Sequence, residues 1–515
     1  MKRIVSSALI ASFALTSSLA GAAGKYTKKE AEISASQTLL TKPVQHVKDE
    51  KKKPTITADD VFGGVGEKVK SVTDQQIRVL QRLIDNTNDT DPEKPDLLFR
   101  MGELYNEQYR YYDFRARELD EKIFNAGNAG NTNLVNQLKG NQADYQKKSQ
   151  VWLLASAKAY LEVADHPDKY GSYKRMDEVL FYLAYMLNQV KKEDAARKYF
   201  KRLIKDYPKS RFIPYAFLAF GDYFFEQKQL EDSLKFYDKV MQFPESPIYG
   251  YAKYKEGWVY YNLGDFKQAL ATFVSVIELS QKSGAAGARS QKIALAKEAK
   301  KDSVRAYARV GTPEKAWDFF RRIGGDYAMT MMEQLGDLYN AQGQFQDSIK
   351  VYRNLMALDV NSPKLCAWEW EVMKNTLSMT GSRATSDNVK ELQRLGAVYE
   401  KVKDAKGLKK EQLEECRDNT KDTLGELAKV WHKEAQKTNN NDTYALAQYL
   451  YKEYLTRFPK EKDTYQMTYY YGELLFKLGA NGDNNSYCNA GPVYTKVVEM
   501  NPQPTAKYLK DAAYA

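Results

Sequence analysis

Residues 178–208 read EVLFYLAYMLNQVKKEDAARKYFKRLIKDYP. Leu180, Leu183, Ala184 and Leu187 fall three and four residues apart, the spacing that puts side chains on one face of a helix. Ala196, Phe200 and Leu203 continue the pattern in a second helix, which Pro208 ends because proline has no N–H to give to the preceding turn. Shifting the frame by 37 residues brings up Phe217, Phe220, Gly221, Phe224, Ser233, Tyr237 and Val240. A further 36 brings up Gly257, Tyr260, Ala269, Phe273 and Val276.

The same frame fits Met332, Leu335, Gly336, Tyr339, Ser348, Tyr352 and Leu355. It fits Trp431, Ala435, Ala447, Tyr451, Tyr454 and Pro459. Six extra residues near 481–488 allow it to fit Gly472, Leu475, Ala490, Tyr494, Val497 and Pro502. Leu98, Met101, Gly102 and Tyr105 open an earlier copy, and Val304, Tyr307, Ala316, Phe320 and Ile323 form a degenerate one. A small residue at the Gly or Ala position lets two antiparallel helices approach closely. The second small residue, Ala196 or Ala269, is expected where the helices cross, and the aromatic four residues on is expected to fill the space between adjacent hairpins. Gly264-Asp265 and Gly343-Gln344 supply turn chemistry between helices.

This recurring small–aromatic pattern resembles the tetratricopeptide repeat (TPR) over roughly residues 95–515, in about eight units. The resemblance implies an all-α α-solenoid, a right-handed superhelix of stacked TPR hairpins. The observed spacing exceeds the usual ~34 residues, so second helices or linkers are slightly long. Two stretches break the frame. Between Tyr105 and Ala157 the second helix is delayed: Tyr105–Phe124 continues helically, 125–130 reads as a loop, and Gln137–Ala164 returns as a long helix, together a protruding hairpin. Residues 362–426 read as an inserted helical segment without the TPR signature. This divides the chain into an N-terminal array over 65–361, the insert, and C-terminal TPR units over 427–515. The chain stops at Ala515 in the opening of another first helix, without the polar capping repeat a solenoid needs. It could be a fragment of a longer protein, or its end could be covered by a partner or by self-association.

The start of the chain reads as an address. Lys2 and Arg3 precede an apolar and small stretch from Ile4 to Leu19, and Ala20-Gly21-Ala22 offers the small residues that signal peptidase needs. A secretory signal over 1–22, cleaved after Ala22, is expected, with an uncleaved anchor as the alternative. No Cys follows the apolar run, so there is no lipobox, and no other stretch reaches ~18 apolar residues, so no transmembrane segment is expected in the mature chain. The periplasm is the simplest home. Residues 23–64, rich in Lys, Glu, Ser and Thr, read as a flexible tether.

The 515 residues carry 38 Tyr and 21 Phe, which excludes wholesale disorder. Three His and three Cys exclude a His-rich metal centre, a zinc-ribbon array and a disulfide miniprotein. Of the net charge of +11, about +7 remains once Lys2, Arg3 and residues 25–60 are set aside. That is a mildly basic surface rather than a nucleic-acid stripe, and no nucleic-acid partner is expected. Gly63-Gly64-Val65-Gly66-Glu67-Lys68 lacks the GxxxxGK[ST] spacing of a phosphate loop and precedes a helix expected over Val69–Ile84. His46, His166 and His432 have no metal-ligand spacing and read as surface or capping residues; Asp483-Asn484-Asn485 reads as a polar loop rather than a calcium site. No cofactor, metal or catalytic residue is expected. Cys366 and Cys416 flank the insert and could form a disulfide; Cys488, read as lying in a loop, could be free or pair elsewhere.

In the TPR frame, first-helix residues beside the packing positions line the concave groove. The resemblance places Phe181, Tyr185 and Asn188 there, then Tyr215, Asp222 and Phe225, then Tyr251, Tyr254, Trp258, Tyr261 and Asn262, with Tyr469 and Phe476 as C-terminal counterparts. Asparagines such as Asn188 and Asn262 commonly hold peptide backbone in that family. Such aromatics suit a binding hot spot, although many could instead stack between repeats. Two segments, Pro92–Ile123 and Tyr444–Leu475, resemble exported TPR proteins of gliding and predatory bacteria, including periplasmic components associated with adventurous gliding motility. The resemblance implies a non-catalytic interaction scaffold that binds peptide or helical segments of other proteins in an envelope assembly. The rival readings are a chaperone or adaptor for outer-membrane or secreted proteins, and the recognition arm of an enzyme whose catalytic domain lies elsewhere.

Overall fold

The computed structural model describes residues 31–35, 54, 74–282, 289–404, 408–500 and 506–515. The expected signal segment, most of the expected tether and the loop at 63–68 lie outside the described residues. The described residues form two compact units, one within 49–310 and one joining 311–515 to residues 31–35.

Among the described residues both units are all-α, each a run of antiparallel hairpins packed on the next, as in a solenoid. The first unit holds α1 (Asp74–Asn86), α2 (Lys94–Asn128), α3 (Thr132–Ala164), the single turn α4 (Pro167–Tyr170), α5 (Met176–Gln189), α6 (Glu193–Asp206), α7 (Ile213–Glu226), α8 (Leu230–Val240), α9 (Tyr249–Leu263), α10 (Phe266–Lys282) and α11 (Arg289–Val310). The second holds α12 (Pro313–Gly324), α13 (Ala328–Ala341), α14 (Phe345–Leu358), α15 (Leu365–Thr380), α16 (Ser386–Lys403), α17 (Lys410–Thr438), α18 (Asn441–Arg457), α19 (Thr464–Ala480), α20 (Asn484–Met500) and α21 (Leu509–Tyr514).

The repeat frame translates into one recurring contact. In α7, a Cβ built on Gly221 would lie 2.5 Å from the ring of Tyr237 in α8. The same closeness joins Gly257 to Phe273 (2.7 Å), Gly336 to Tyr352 (2.8 Å), Gly472 to Tyr494 (2.9 Å) and Gly102 to Tyr160 (2.7 Å). The ring therefore packs against the bare Cα of its own hairpin, rather than only filling space between hairpins as the frame suggests. A serine one turn earlier ties the same spot. Ser233 Oγ donates to the Gly221 carbonyl at 2.8 Å, Ser348 Oγ to Gly336 at 2.8 Å and Ser156 Oγ to Gly102 at 2.7 Å. The tyrosine hydroxyl then donates to the carboxylate that follows the glycine, from Tyr237 to Asp222 (2.6 Å), from Tyr352 to Asp337 and from Tyr494 to Glu473 (2.7 Å). Each buried hydroxyl is thereby satisfied, as a low-dielectric interior demands.

The delayed second helix is α3. With α2 it makes a long hairpin whose turn is only Ala129–Asn131; Asn125–Asn128, read as loop from sequence, are helical. Three residues suffice because Gly130 takes the left-handed conformation at φ +69° and the Asn131 side chain accepts the Leu134 N–H at 3.1 Å, capping α3.

In the second unit, Cys366 at the start of α15 and Cys416 in α17 are bonded as a disulfide, with Cα atoms 5.7 Å apart. Cys488 stands exposed on α20 rather than in a loop. The polar stretch before it begins that helix: Asp483 accepts the N–H groups of Asn485 and Ser486 and the Ser486 hydroxyl, which lowers its pKa. His166 does act locally, its Nδ1 meeting the Glu162 carbonyl at 2.7 Å. His432 does not fit its surface reading. It is buried in α17 beside Tyr444 and Tyr451, and burial pushes its pKa down to about 3. Residues 31–35, inside the expected tether, are packed as well: Ile33 is 2% exposed and belongs to the apolar cluster of this unit with Trp431, Tyr470 and Leu474. A lone apolar residue in a polar stretch is too weak a pattern to announce burial.

Candidate functional site

The expected groove residues separate into two groups. Phe181 on α5, with Tyr185 beside it, meets Tyr215 on α7. Phe181 stacks on Phe212 at 4.3 Å, meets Tyr215 edge-on at 5.3 Å and lies 6.2 Å from Tyr185. Phe212 is buried, while Phe181, Tyr185 and Tyr215 remain half-buried and Asn188 is exposed at the end of the row. The result is an aromatic surface, supported by Phe212, that its neighbours cover only in part.

The third repeat is different. Tyr251, Tyr254 and Trp258 on α9 are buried, each at most 2% exposed. The physical reason is α11, which supplies a shared acceptor. Tyr254 Oη donates to Asp302 Oδ2 at 2.6 Å, and Trp258 Nε1 donates to the same oxygen at 3.2 Å. Burial pushes the Asp302 carboxyl up to about 6, against the pull of these donors and of Arg305, 3.6 Å away. These three aromatics are core, so their expected place on a partner surface is corrected. Phe225 is also buried, with the Lys255 ammonium 4.7 Å above its ring and paired to Asp222 at 3.1 Å. Tyr261 is half-buried against Trp258 and Phe266. Asn262 gives its Nδ2 to the Trp258 carbonyl at 2.8 Å, a bond within its own helix. Of the C-terminal counterparts, Tyr469 is buried and stacked on Tyr508 at 4.3 Å, and Phe476 is half-buried beside Tyr487.

A second surface was not anticipated. Phe217, Phe220 and Phe224 on α7 and Phe236 on α8 line a cleft with Tyr223, Arg197, Lys201, Lys205 and Lys239. Phe236 stacks on Phe224 at 5.4 Å, Lys239 stands 4.9 Å above Phe236 and the Arg197 guanidinium lies 3.7 Å above Tyr223. The spacing of Phe217, Phe220 and Phe224 is visible in the sequence, where it marks packing positions alone. The interleaved lysines were the available signal. Among the described residues, no group of three or more His, Cys, Asp or Glu side chains is placed to hold a metal ion. Nor is any helix among them long and apolar enough to cross a membrane.

Three pairs of helices coincide with a known repeat. Tetratricopeptide repeat models match residues 178–210 (α5 and α6), 251–283 (α9 and α10) and 332–364 (α13 and α14). The chain carries tetratricopeptide repeats. The glycine–aromatic contacts at Gly257–Phe273 and Gly336–Tyr352 fall inside two of the matched tetratricopeptide hairpins. Among solved structures, the chain is similar to a tetratricopeptide repeat protein from Parabacteroides merdae ATCC 43184. Identity is 15%, the match covers 59% of this chain and 98% of that one, and the TM-score is 0.29. It is also similar to a structure of Naa15/Naa10 bound to HypK-THB, at 14% identity, 78% and 60% coverage and a TM-score of 0.31. No curated protein matches the chain.

Proposed function

We propose that this protein is a non-catalytic protein–protein interaction scaffold, and that its first unit presents Phe181, Tyr185 and Tyr215 to a segment of another protein. The observation that carries this reading is the half-buried aromatic row of α5 and α7, backed by Phe212. Rings held by their neighbours offer large contact area with little side-chain entropy left to lose.

We place its work in the periplasm, within an envelope assembly of the gliding-motility kind. The positive, apolar, small-residue order of residues 1–22 supports export. The Cys366–Cys416 disulfide is the kind of bond that persists in an oxidising compartment. A photo-crosslinking residue in place of Asn188, compared with and without Tyr185→Ala, tests the surface. One or a few discrete adducts from an envelope extract, lost on Tyr185→Ala, are expected. A smear of many exported chains indicates a client-holding chaperone, and adducts unchanged by Tyr185→Ala remove this surface. Fractionation of the tagged chain tests the compartment: recovery in the cytoplasm overturns it.

A further inference from the structure

Residues 31–35, Ala-Glu-Ile-Ser-Ala, run without regular secondary structure against α17 and α19 of the second unit. Side chains read their backbone. The Ala31 N–H donates to Glu473 Oε2 at 3.3 Å, and Gln436 Nε2 donates to the Ala31 carbonyl at 3.2 Å. The Tyr470 hydroxyl donates to the Glu32 carbonyl at 3.3 Å and accepts the Ser34 N–H at 3.4 Å. Between these contacts, the Ile33 side chain enters the apolar cluster.

The readers are themselves held. Gln466 Nε2 donates to the Tyr470 hydroxyl at 3.0 Å. Glu473 Oε1 accepts the Tyr494 hydroxyl at 2.7 Å, while its Oε2 accepts the segment's Ala31 N–H. Glu473 occupies the position that Asp222 and Asp337 hold after their glycines, where each likewise takes the hydroxyl of its hairpin's tyrosine. Here the longer glutamate keeps that tyrosine bond and extends its second oxygen to a peptide N–H. Four side-chain bonds to main-chain groups and one buried aliphatic side chain make a peptide-recognition arrangement: the backbone contacts supply affinity for any extended segment, and the Ile pocket supplies selection.

We propose that the α17–α19 face is a binding site for an extended peptide bearing one branched aliphatic anchor, and that residues 31–35 occupy it in cis, so that a partner segment of this chemistry enters only by displacing the chain's own N-terminal segment. The partner half of this statement rests on the scaffold reading; the cis contact does not. A segment of the same chain competes at every concentration of the protein, so it masks the site against a dilute competitor.

The test uses the full chain and a fluorescein-labelled peptide of residues 28–38. Ile33→Asp in the protein removes the anchor without altering any helix, and unchanged far-UV dichroism with a cooperative thermal transition confirms that the unit stays folded, its midpoint lowered only by the lost segment contacts. The Ile33→Asp protein is expected to bind the peptide at least tenfold more tightly than wild type, and adding Tyr470→Phe is expected to weaken that binding. A peptide carrying Ile33→Asp should not bind. Equal affinity of wild type and Ile33→Asp overturns the cis occupancy. A folded Ile33→Asp protein that ignores the peptide overturns the site itself. A wild-type chain that sediments as an exchanged dimer, reverting to monomer on Ile33→Asp, shows the segment held in trans and overturns the cis form. The Asn188 crosslink belongs to the other unit, so it survives failure here if the scaffold reading is right.

Discussion

Gly221 packs against the ring of Tyr237, so close that a methyl group there would sit 2.5 Å from Cε1. The ring cannot swing away cheaply, because its hydroxyl is tied to Asp222. Gly221→Ala is therefore expected to destabilise the first unit by about 1–3 kcal/mol through overpacking. Gly127→Ala is the contrast. It lies in α2 with nothing within 4 Å of the added carbon, and it should be neutral or stabilise by up to about 1 kcal/mol. Denaturant unfolding of the two variants separates close packing from helix propensity.

Trp258 and Tyr185 should respond differently although both carry the same expected role in the sequence. Trp258→Ala empties a buried site and takes one of its two donors from Asp302 Oδ2, so a loss of about 3–5 kcal/mol is expected. Tyr185→Ala, at a half-buried site, should leave the thermal midpoint within a few degrees while weakening partner capture. If both variants lose the same stability, the assignment of Tyr185 to an open surface fails.

The Cys366–Cys416 bond closes a separation of 50 residues. In the chain-entropy account, a loop of that length stabilises by about 4 kcal/mol. Cys366→Ala with Cys416→Ala should lower the unfolding free energy of the second unit by that order, and reductant should reproduce the effect on wild type. Hydrogen exchange should rise in α15 to α17 while α5 to α8 keep their protection.

Glu369 is buried, and burial, with the Glu391 carboxyl beside it, pushes its pKa up to about 8. Arg353 and Arg394 serve Glu391, the latter at 2.9 Å. A carboxyl raised in the folded state binds its proton more tightly there than in the unfolded chain, where it titrates near ~4.3. Its contribution is complete below that value and is lost as pH rises toward 8. Glu369→Gln should reduce the loss of stability between pH 6 and pH 9, read from unfolding midpoints at both ends. An unchanged slope rejects the shift.

His432 works in the opposite direction. Its pKa is depressed to about 3, so the unfolded chain takes up a proton that the folded chain refuses. The stability it preserves is complete above about pH 6.5 and is lost as pH falls from there toward 3, at most ~1.4 kcal/mol per pH unit. His432→Leu should flatten the acid limb relative to wild type. The two effects oppose each other between pH 4.5 and 6.5, so each is measured as a difference between variant and parent.

The order of helices, their pairing and the glycine–aromatic frame were legible in the chain because a helix face leaves a periodic trace in sequence. Gly221, Gly257 and Gly336 recur at fixed offsets from Tyr237, Phe273 and Tyr352 because each pair must touch. The spacing of Cys366 and Cys416 about the irregular segment was likewise visible. Exposure was not, because it depends on what a distant part of the chain lays on top. Tyr185 and Trp258 each follow the small residue of their first helix, Ala184 and Gly257, yet only Trp258 is covered by α11 and bonded to Asp302. His432 gives no local sign of burial, and Ile33 is held by residues some 400 positions away. Local periodicity therefore determined the helices and their partners in each hairpin, while only the packing of remote segments decided which aromatic rings stay open and which stretch of chain fills the α17–α19 face.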